Sequence, residues 1–483
     1  TNLIAAASSY SAFTGETGGF IDSGSATDVD YTAGAGSALD VQVGNTVTST
    51  ALNTDGGAYA QGLITETYGL QDIGVSVGGS GTLTANVDAD VASTATTTGS
   101  AATPAAAIAD TDATNIASIS GLGDGTTAAT SDFAFGDSAT ITANAGTLAE
   151  RVTLSASATT VGGDATGDAT ATVDSTAISG ITADTGTDGA VSNVLSAGGD
   201  ATITARAYVG STAAAVSVDG DASATTTLGA VDGIQADTFL VGDDASIKAY
   251  ADTLSTTSAT STDVDATASN TLTDSRAIQL DALTIGDSAT ATGSYGVIGA
   301  ASANLTTTAA TSGDATTEEA KATGTSGSLI GVQLGDGDAT TADKALSAGA
   351  NLSLAGTSAL TSAATATAVD GGAEAISTST VAATGVSLNE SGASTIGAGG
   401  TILATGNVNL DATATNVGTT ANSGADDDAA AQAGADKVVG LEMVGTASTL
   451  TIGDAGTITG GATVAADATA TSVEADATAL AGG

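Results

Sequence analysis

The sequence predicts an all-β protein, a β-solenoid (β-helix), on three observations. A short phrase recurs along the 483 residues, as in GDSATITANA (136–145), GDATITARA (199–207) and GDDASIKAYA (242–251). Tracts of alternating Ala and Thr separate the copies, and alternation with period two is typical of strands with one buried face. Aromatic residues make up only 2% of the chain and most apolar residues are Ala or Val, so the core must be thin.

The repeat is marked by the apolar residue inside the recurring phrase. The clear markers are Leu83, Ile141, Ile203, Ile247, Ala291, Leu352 and Ile458, with Leu410 and Val41 as less regular copies. Successive steps from Leu83 to Leu352 are 58, 62, 44, 44 and 61 residues, which predicts repeats of about 44–62 residues. A second apolar marker, Ile234 and then Ile278, also recurs after 44 residues.

Each repeat is predicted to contain a strand, a second alternating strand and an apolar return strand. Ala favours helix, but Gly and Ser/Thr clusters interrupt the chain every 8–15 residues, and no helical stripe of large apolar residues occurs. The pattern leaves open whether 44 residues form one large coil or two coils of about 22. A string of small β-sandwich domains is the alternative fold.

Three segments are predicted: an aromatic-richer cap or assembly segment (1–78), the repetitive solenoid (79–460) and a C-terminal strand region for subunit contact (461–483). Six of the twelve Phe and Tyr residues lie within the first 70 positions. The aromatic start is either an N-terminal cap or an adhesive segment that docks on the next subunit. The residues assigned to assembly are Tyr10, Phe13, Phe20 and Tyr31.

The net charge of −46, from 7 basic and 53 acidic residues, excludes nucleic acid as the main partner, because phosphate binding needs Lys and Arg clusters. No stretch of 18 or more apolar residues occurs, so no membrane span is expected. Because Cys is absent, no disulfide framework is expected. Residue 1 is Thr, which we interpret as a processed terminus.

The Gly-Asp turns and alternating strands around GGDATITARA (198–207) resemble the repeats of filamentous-haemagglutinin-type secreted β-helix proteins. The resemblance covers residues 79 to 460 and is compositional. The chain departs from that family in its smaller inner residues and in lacking a recognisable secretion domain at its start. The resemblance implies an extracellular, adhesive or scaffolding protein and implies no chemistry.

No catalytic or cofactor-binding residues are predicted, and the chain is not expected to be an enzyme. Catalysis by a Ser–His pair and thiolate or imidazole metal sites are excluded, because the sequence has neither His nor Cys. Paired carboxylates can hydrolyse glycosides, but such sites lie in grooves with aromatic and basic residues. The seven Lys and Arg residues here are scattered singly along the chain.

A calcium site is left open at five aspartates that are predicted to occupy one repeated Gly-Asp turn position. If these carboxylates stack as a column, their repulsion would favour a bound divalent cation. The other interpretation is that Gly-Asp is simply favourable turn chemistry, and the strict calcium β-roll phrase does not occur. The residues concerned are Asp137, Asp200, Asp243, Asp287 and Asp454.

Thr-x-Thr pairs within the phrase predict an alternative function, ice binding by a flat Thr array on one solenoid face. Both Thr of a pair face outward while the apolar residue between them faces the core. Ser246 and Lys248 interrupt the array. The pairs are Thr82 and Thr84, Thr140 and Thr142, Thr202 and Thr204, Thr290 and Thr292, and Thr457 and Thr459.

The favoured expectation is an extracellular structural protein that forms a filament, sheath, biofilm-matrix fibre or adhesive stalk. Its main partner is predicted to be itself, head to tail, because the two ends of a solenoid are unlike and complementary. Cell-surface or matrix partners are further expectations. No cofactor is required, and Ca²⁺ is the one candidate ion.

Overall fold

The computed structural model describes residues 3–8, 16–21, 29–54, 56–71, 73–98, 106–120, 133–161, 167–182, 194–286, 295–313, 318–335, 346–369, 371–389, 393–417, 428–444, 449–473 and 476–482. These residues form 28 β-strands and no helix, which confirms the predicted all-β class.

The strands, in chain order, are β1 (Leu3–Ser8), β2 (Glu16–Ile21), β3 (Val29–Ala33), β4 (Ala38–Asn53), β5 (Ala58–Gln71), β6 (Ile73–Val77), β7 (Thr82–Thr97), β8 (Ala107–Ser120), β9 (Phe133–Phe135), β10 (Thr140–Ala145), β11 (Val152–Thr160), β12 (Ala169–Thr182), β13 (Val194–Ala197), β14 (Thr202–Ser217), β15 (Ala222–Val241), β16 (Ser246–Ser261), β17 (Ala266–Ile285), β18 (Tyr295–Thr311), β19 (Glu319–Leu334), β20 (Leu346–Ala348), β21 (Leu352–Ala368), β22 (Gly372–Asn389), β23 (Ala393–Ile396), β24 (Thr401–Asn416), β25 (Ala429–Val444), β26 (Thr449–Ile452), β27 (Thr457–Ser472) and β28 (Ala477–Gly482).

The strands form two parallel sheets, which confirms the β-solenoid. Sheet B contains the ten strands β4, β7, β10, β11, β14, β16, β18, β21, β24 and β27, and sheet A contains the other eighteen described strands. Each coil runs along a sheet B strand, turns into a long sheet A strand, and returns along a short sheet A segment. Because each strand pairs with the equivalent strand of the next repeat, the parallel ladder excludes tandem β-sandwiches, whose sheets are antiparallel.

One 44-residue repeat is one coil. Ile203 on β14 pairs with Ile247 on β16, and Ala222 on β15 pairs with Ala266 on β17. Both steps are 44 residues, so one repeat advances the chain by one strand in both sheets. β10 and β11 share a coil, and sheet B therefore spans nine coils among the described strands.

The register corrects several repeat markers. The stacked inner residues are Leu39, Leu83, Ile141, Ile203, Ile247, Val297, Leu354, Ile402 and Ile458. Val41, Leu352 and Leu410 were therefore wrong as markers, and Ala291 lies outside the described residues. A shift of two residues keeps every side chain on the same face, so alternation alone cannot detect it.

The core is thin because identical small residues stack where the two sheets face each other. One inner position of sheet A is Ala in eight successive coils: Ala60, Ala109, Ala171, Ala224, Ala268, Ala322, Ala375 and Ala431, all buried. At the corner, a Cβ on Gly331 would lie 2.4 Å from the backbone nitrogen of Thr357. The two backbones touch there, which only Gly allows without movement.

The return segment holds larger side chains, so the cross-section widens at that end. Phe133, Leu195, Phe239, Leu283 and Leu346 stack directly on one another and are almost completely buried. This column supplies the bulky apolar packing that the Ala-lined interior lacks.

Candidate functional site

A row of long polar side chains crosses the outer face of sheet B. Gln42, Asn86, Asn144, Arg206 and Tyr250 occupy the same position in five successive coils, on β4, β7, β10, β14 and β16. Strand alternation points them outward, because their chain neighbours line the core. We call these five residues the amide ladder.

The amide ladder forms a directed chain of hydrogen bonds. Arg206 Nη1 donates to Asn144 Oδ1 at 3.0 Å, and Asn144 Nδ2 donates to Asn86 Oδ1 at 2.7 Å. Asn86 Nδ2 then donates to Gln42 Oε1 at 3.1 Å, and Gln42 Nε2 donates to Asp40 Oδ1 at 2.7 Å. The chain runs from a cation to a carboxylate, so each bond polarises the next in the same direction.

A loop beside the ladder, residues 146–151, interrupts sheet B between β10 and β11. Arg151 holds the loop down: its Nη2 lies 2.7 Å from Asp252 Oδ2, and its guanidinium lies 5.7 Å from the ring centre of Tyr208. Arg206 lies at the same distance from the ring of Tyr250. Ser302 Oγ donates to Asp252 Oδ1 at 2.8 Å, which fixes the carboxylate that Arg151 binds.

The ladder and the loop flank a cavity of about 330 Å³ that is open to solvent on this face. Its lining residues are Gln42, Val43, Gly44, Asn86, Val87, Asp88, Asn144, Gly146, Thr147 and Glu150. The cavity is therefore walled by amides on one side and by the loop on the other.

The structure brings together basic residues that are scattered in the sequence. Arg151, Arg206 and Lys248 all lie on the outer face of sheet B, and Lys248 pairs with Thr204 on β14. Sequence reasoning missed this cluster and the amide ladder. The signal present in the sequence was the third residue of TAN (142–144), TAR (204–206) and KAY (248–250), which varies while the Ala before it is repeated.

The five predicted calcium-ligand aspartates do not share one turn position, so that part of the prediction was wrong. Backbone hydrogen bonds between turns place Asp137, Asp243 and Asp454 at the second position, together with Gly199. Asp200 is at the third position, where φ is +57°. The Gly-Asp pair therefore begins one residue later in the turn that contains Asp200 than in the other three turns. Because Gly199 intervenes, Asp137 and Asp243 lie two coils apart, about 10 Å.

Asp137 has a structural role in its turn: its Oδ1 accepts a hydrogen bond from the backbone N–H of Gly199 at 3.0 Å. Asp287 lies outside the described residues. Within the described ranges, no group of three or more Asp or Glu is arranged to hold a metal ion. The calcium site at these five residues stays a prediction.

A stacked acidic column does occur, at the other turn, where sheet B passes into sheet A. The column consists of the four acidic residues that directly precede the aligned alanines Ala169, Ala222, Ala266 and Ala320, namely Asp168, Asp221, Asp265 and Glu319. Asp168 Oδ1 accepts from the Asp221 N–H at 3.2 Å, and Asp265 Oδ1 accepts from the Glu319 N–H at 2.8 Å. Burial, and then the charges of Asp168 and Asp265, raise the pKa of Asp221.

These carboxylates accept hydrogen bonds from the backbone of the next coil. This role explains why Asp occurs at the turns, and it requires no bound cation. The sequence analysis did not single out this column. Its members are 53, 44 and 54 residues apart, so only the register reveals them.

The Thr pairs make a contiguous array in three coils. Thr82, Thr140 and Thr202 stack, as do their partners two residues on, Thr84, Thr142 and Thr204. The next coils place Ser246 and Lys248, and then Gly296 and Ile298, at these positions. Thr290 and Thr292 lie outside the described residues.

The N-terminal strands pair with their own chain. β1 and β2 pair with β5, and β3 pairs with β6, all in parallel. Phe20 aligns with Leu70 and Tyr31 aligns with Val75, whereas Tyr10 and Phe13 lie outside the described residues. The assembly role of these four residues stays a prediction.

One carboxylate is buried in sheet A. Asp232 is 1% exposed, and its Oδ1 has no hydrogen-bond partner among the described residues. Burial raises its pKa to about 7, the Arg276 charge opposes the rise, and Asp274 adds to it. Arg276 occupies the same position in the next coil and pairs with Asp274 Oδ2 at 3.1 Å.

No protein-family model, curated protein or solved structure matches the chain. Among the residues that the structure describes, we find no helix with the length and apolarity needed to cross a membrane.

Proposed function

We propose that this chain is an extracellular structural protein that forms a filament, sheath or matrix fibre by head-to-tail self-association. The observation that carries the proposal is the parallel ladder of sheet B, which continues from β4 to β27 in register. A ladder of this kind can be extended by another copy through the same backbone pairing.

The dimensions of one copy favour stacking. Nine coils at the usual strand spacing extend about 38 Å along the stacking direction. A 16-residue sheet B strand is about 53 Å long at the usual rise per residue. One copy is therefore no longer than it is wide, and a fibre requires many copies end to end.

The two end coils support a contact between copies. Within the described strands, β4 pairs only with β7 and β27 only with β24 in sheet B. Ile458 on β27 is 51% exposed, whereas Ile402 at the same position one coil earlier is 1% exposed. A further coil stacked on β27 would bury Ile458 and would pair the backbone N–H and C=O groups along the open edge of β27. At the other end, β1 and β2 pair with β5, and β3 pairs with β6; these strands belong to the segment (1–78) that the sequence analysis assigns to a cap or to assembly.

Electron microscopy of the purified 483-residue chain tests the proposal. Because docking must overcome a charge of −46, we expect filaments in 0.5 M NaCl or with Ca²⁺, and fewer at low salt. Ile458→Asp should abolish filaments, since stacking would bury its charge. Thr459→Asp is the matched control, because Thr459 points outward and stays exposed.

Monomers in every salt condition would contradict the proposal, and so would normal filaments from Ile458→Asp. Chelation at constant ionic strength separates specific Ca²⁺ binding from screening. The three-coil Thr array supports a second candidate, ice binding by the flat outer face. A chain that stays monomeric and shapes growing ice crystals would favour that candidate instead.

A further inference from the structure

The floor of the cavity between the amide ladder and the 146–151 loop lies along one row of neighbouring residues. Gly44, Asp88 and Gly146 are neighbours on β4, on β7 and at the end of β10, in one outward row. Gly44 leaves the floor open on one side of Asp88, because a Cβ there would meet no atom within 4 Å. Gly146, on the other side, is buried, and a Cβ there would lie 2.6 Å from the carbonyl oxygen of Tyr208.

The side-chain amides of the ladder that line the cavity use only half of their hydrogen-bonding groups within the ladder. A side-chain amide has two N–H donors and two acceptor lone pairs. Asn86 and Asn144 each use one donor and one acceptor within the ladder. The remaining donors and acceptors recur about every 4.8 Å along the stacking direction. Asn144 is 7% exposed, so a ligand here meets chiefly the unused groups of the half-buried Asn86 and the exposed Gln42.

The charge of the cavity selects against anions. Asp88 and Glu150 both line it, and no basic side chain does. Burial raises the pKa of Asp88, as do the nearby charges of Asp90 and Glu150. Carboxylates in such a setting gain from hydroxyl donors and repel acidic groups.

The opposite wall is held in place before any ligand arrives. The Thr147 backbone N–H donates to the Glu150 carbonyl at 2.6 Å, and the Glu150 N–H donates to Thr147 Oγ1 at 3.0 Å. Arg151 then anchors the loop to Asp252. A preformed wall lowers the entropy cost of binding.

We propose that this cavity binds a short stretch of a neutral oligosaccharide. Sugar hydroxyls donate and accept at once, which matches the unused amide groups and the two carboxylates. The volume lies at the lower end of ligand pockets, which suits a short stretch of a sugar chain. Since no aromatic side chain lines the cavity, affinity is weak, with Kd on the order of 1 mM. The proposal holds whether or not the chain polymerises.

Isothermal titration with uncharged hexasaccharides tests it: cello-, malto-, xylo- and manno-hexaose, with hexagalacturonate and a sulfated hexasaccharide as acidic probes. We expect at least one neutral probe to bind and both acidic probes to bind less. Gly44→Leu fills the cavity and should weaken binding at least tenfold. Gly461→Leu is the matched control: Gly461 lies on the same face in the last coil, and a Cβ there also meets no atom.

Both variants should melt like the parent, because a Cβ at either position meets no atom within 4 Å. Asn86→Leu should also lose binding while it keeps the β circular dichroism spectrum. The proposal is overturned if no neutral probe binds, if Gly44→Leu binds as well as Gly461→Leu does, or if the acidic probes bind more tightly. Tighter binding of the acidic probes would indicate instead that Arg206 and Lys248 bind anions on this face.

Discussion

The early and late coils of sheet B share a backbone and differ on their outer face. At the ladder position the first five coils carry Gln42, Asn86, Asn144, Arg206 and Tyr250, and the last four carry Ala300, Thr357, Thr405 and Gly461. The parallel pairing is the same in both regions. The late coils show that the solenoid forms without long outer side chains, so the early ones serve another purpose.

One buried position of sheet A also differs between coils. Two middle coils hold Asp232 and then Arg276, whereas the coil before them holds Ser179 and the coils after them hold Ile330 and Thr384. An apolar or neutral residue fits the position, so the buried charge is a cost that the middle coils carry. These coils differ from their neighbours in electrostatics while sharing the Ala-lined core.

The largest effect is expected from a change in that shared core. Ala268→Leu inserts a bulky side chain between Ala224 and Ala322 and should lower the free energy of unfolding by about 3 kcal/mol. Ala300→Leu, on the outer face, should change it by less than about 0.5 kcal/mol. Urea denaturation measures both. Equal losses would show that inner and outer positions do not differ as described.

A smaller effect concerns the pH dependence that the buried Asp232 gives to the free energy of unfolding. The pKa of Asp232 in the folded protein is about 7, above its ordinary value, so the folded state binds more protons between about pH 4 and pH 7. Its contribution to stability is therefore greatest at low pH and falls as pH rises through 7. Relative to Asp232→Asn, the parent should lose about 2–3 kcal/mol between pH 5 and pH 8.

Denaturation of both proteins at several pH values measures this difference. The two proteins share every other titratable group, so the difference between them belongs to Asp232. A difference between parent and Asp232→Asn that does not vary with pH would contradict the buried charge.

The smallest effect is expected from the loop clamp. Arg151→Ala removes a partly buried ion pair and a contact with Tyr208, which should cost about 1 kcal/mol. Backbone amides of residues 147–150 should then exchange hydrogen faster. Lys321→Ala is the control, because Lys321 also pairs between coils, with Glu374 at 2.5 Å, but holds no loop. If the amides of residues 147–150 exchange at the same rate in both variants, Arg151 does not hold the loop in place.

Much of the fold was predictable because the local sequence pattern indicates where the strands lie and how long one repeat is. Alternation identified the strands, and the two 44-residue steps, Ile203 to Ile247 and Ile234 to Ile278, identified the repeat. Leu83, Ile141 and Ile203 face the core and their flanking Thr residues face outward, as predicted. The scarcity of large residues predicted the thin core that the Ala column forms.

The tertiary structure alone decided which residues meet across the coils. Arg151 and Asp252 are 101 residues apart in sequence and 2.7 Å apart in space. Coil lengths vary, and a two-residue shift leaves the alternation intact, so the sequence cannot state which side chains stack. It also could not separate one coil of 44 residues from two of about 22. Hydrogen-bond pairing between coils settles both, because it sets the register along the whole ladder at once.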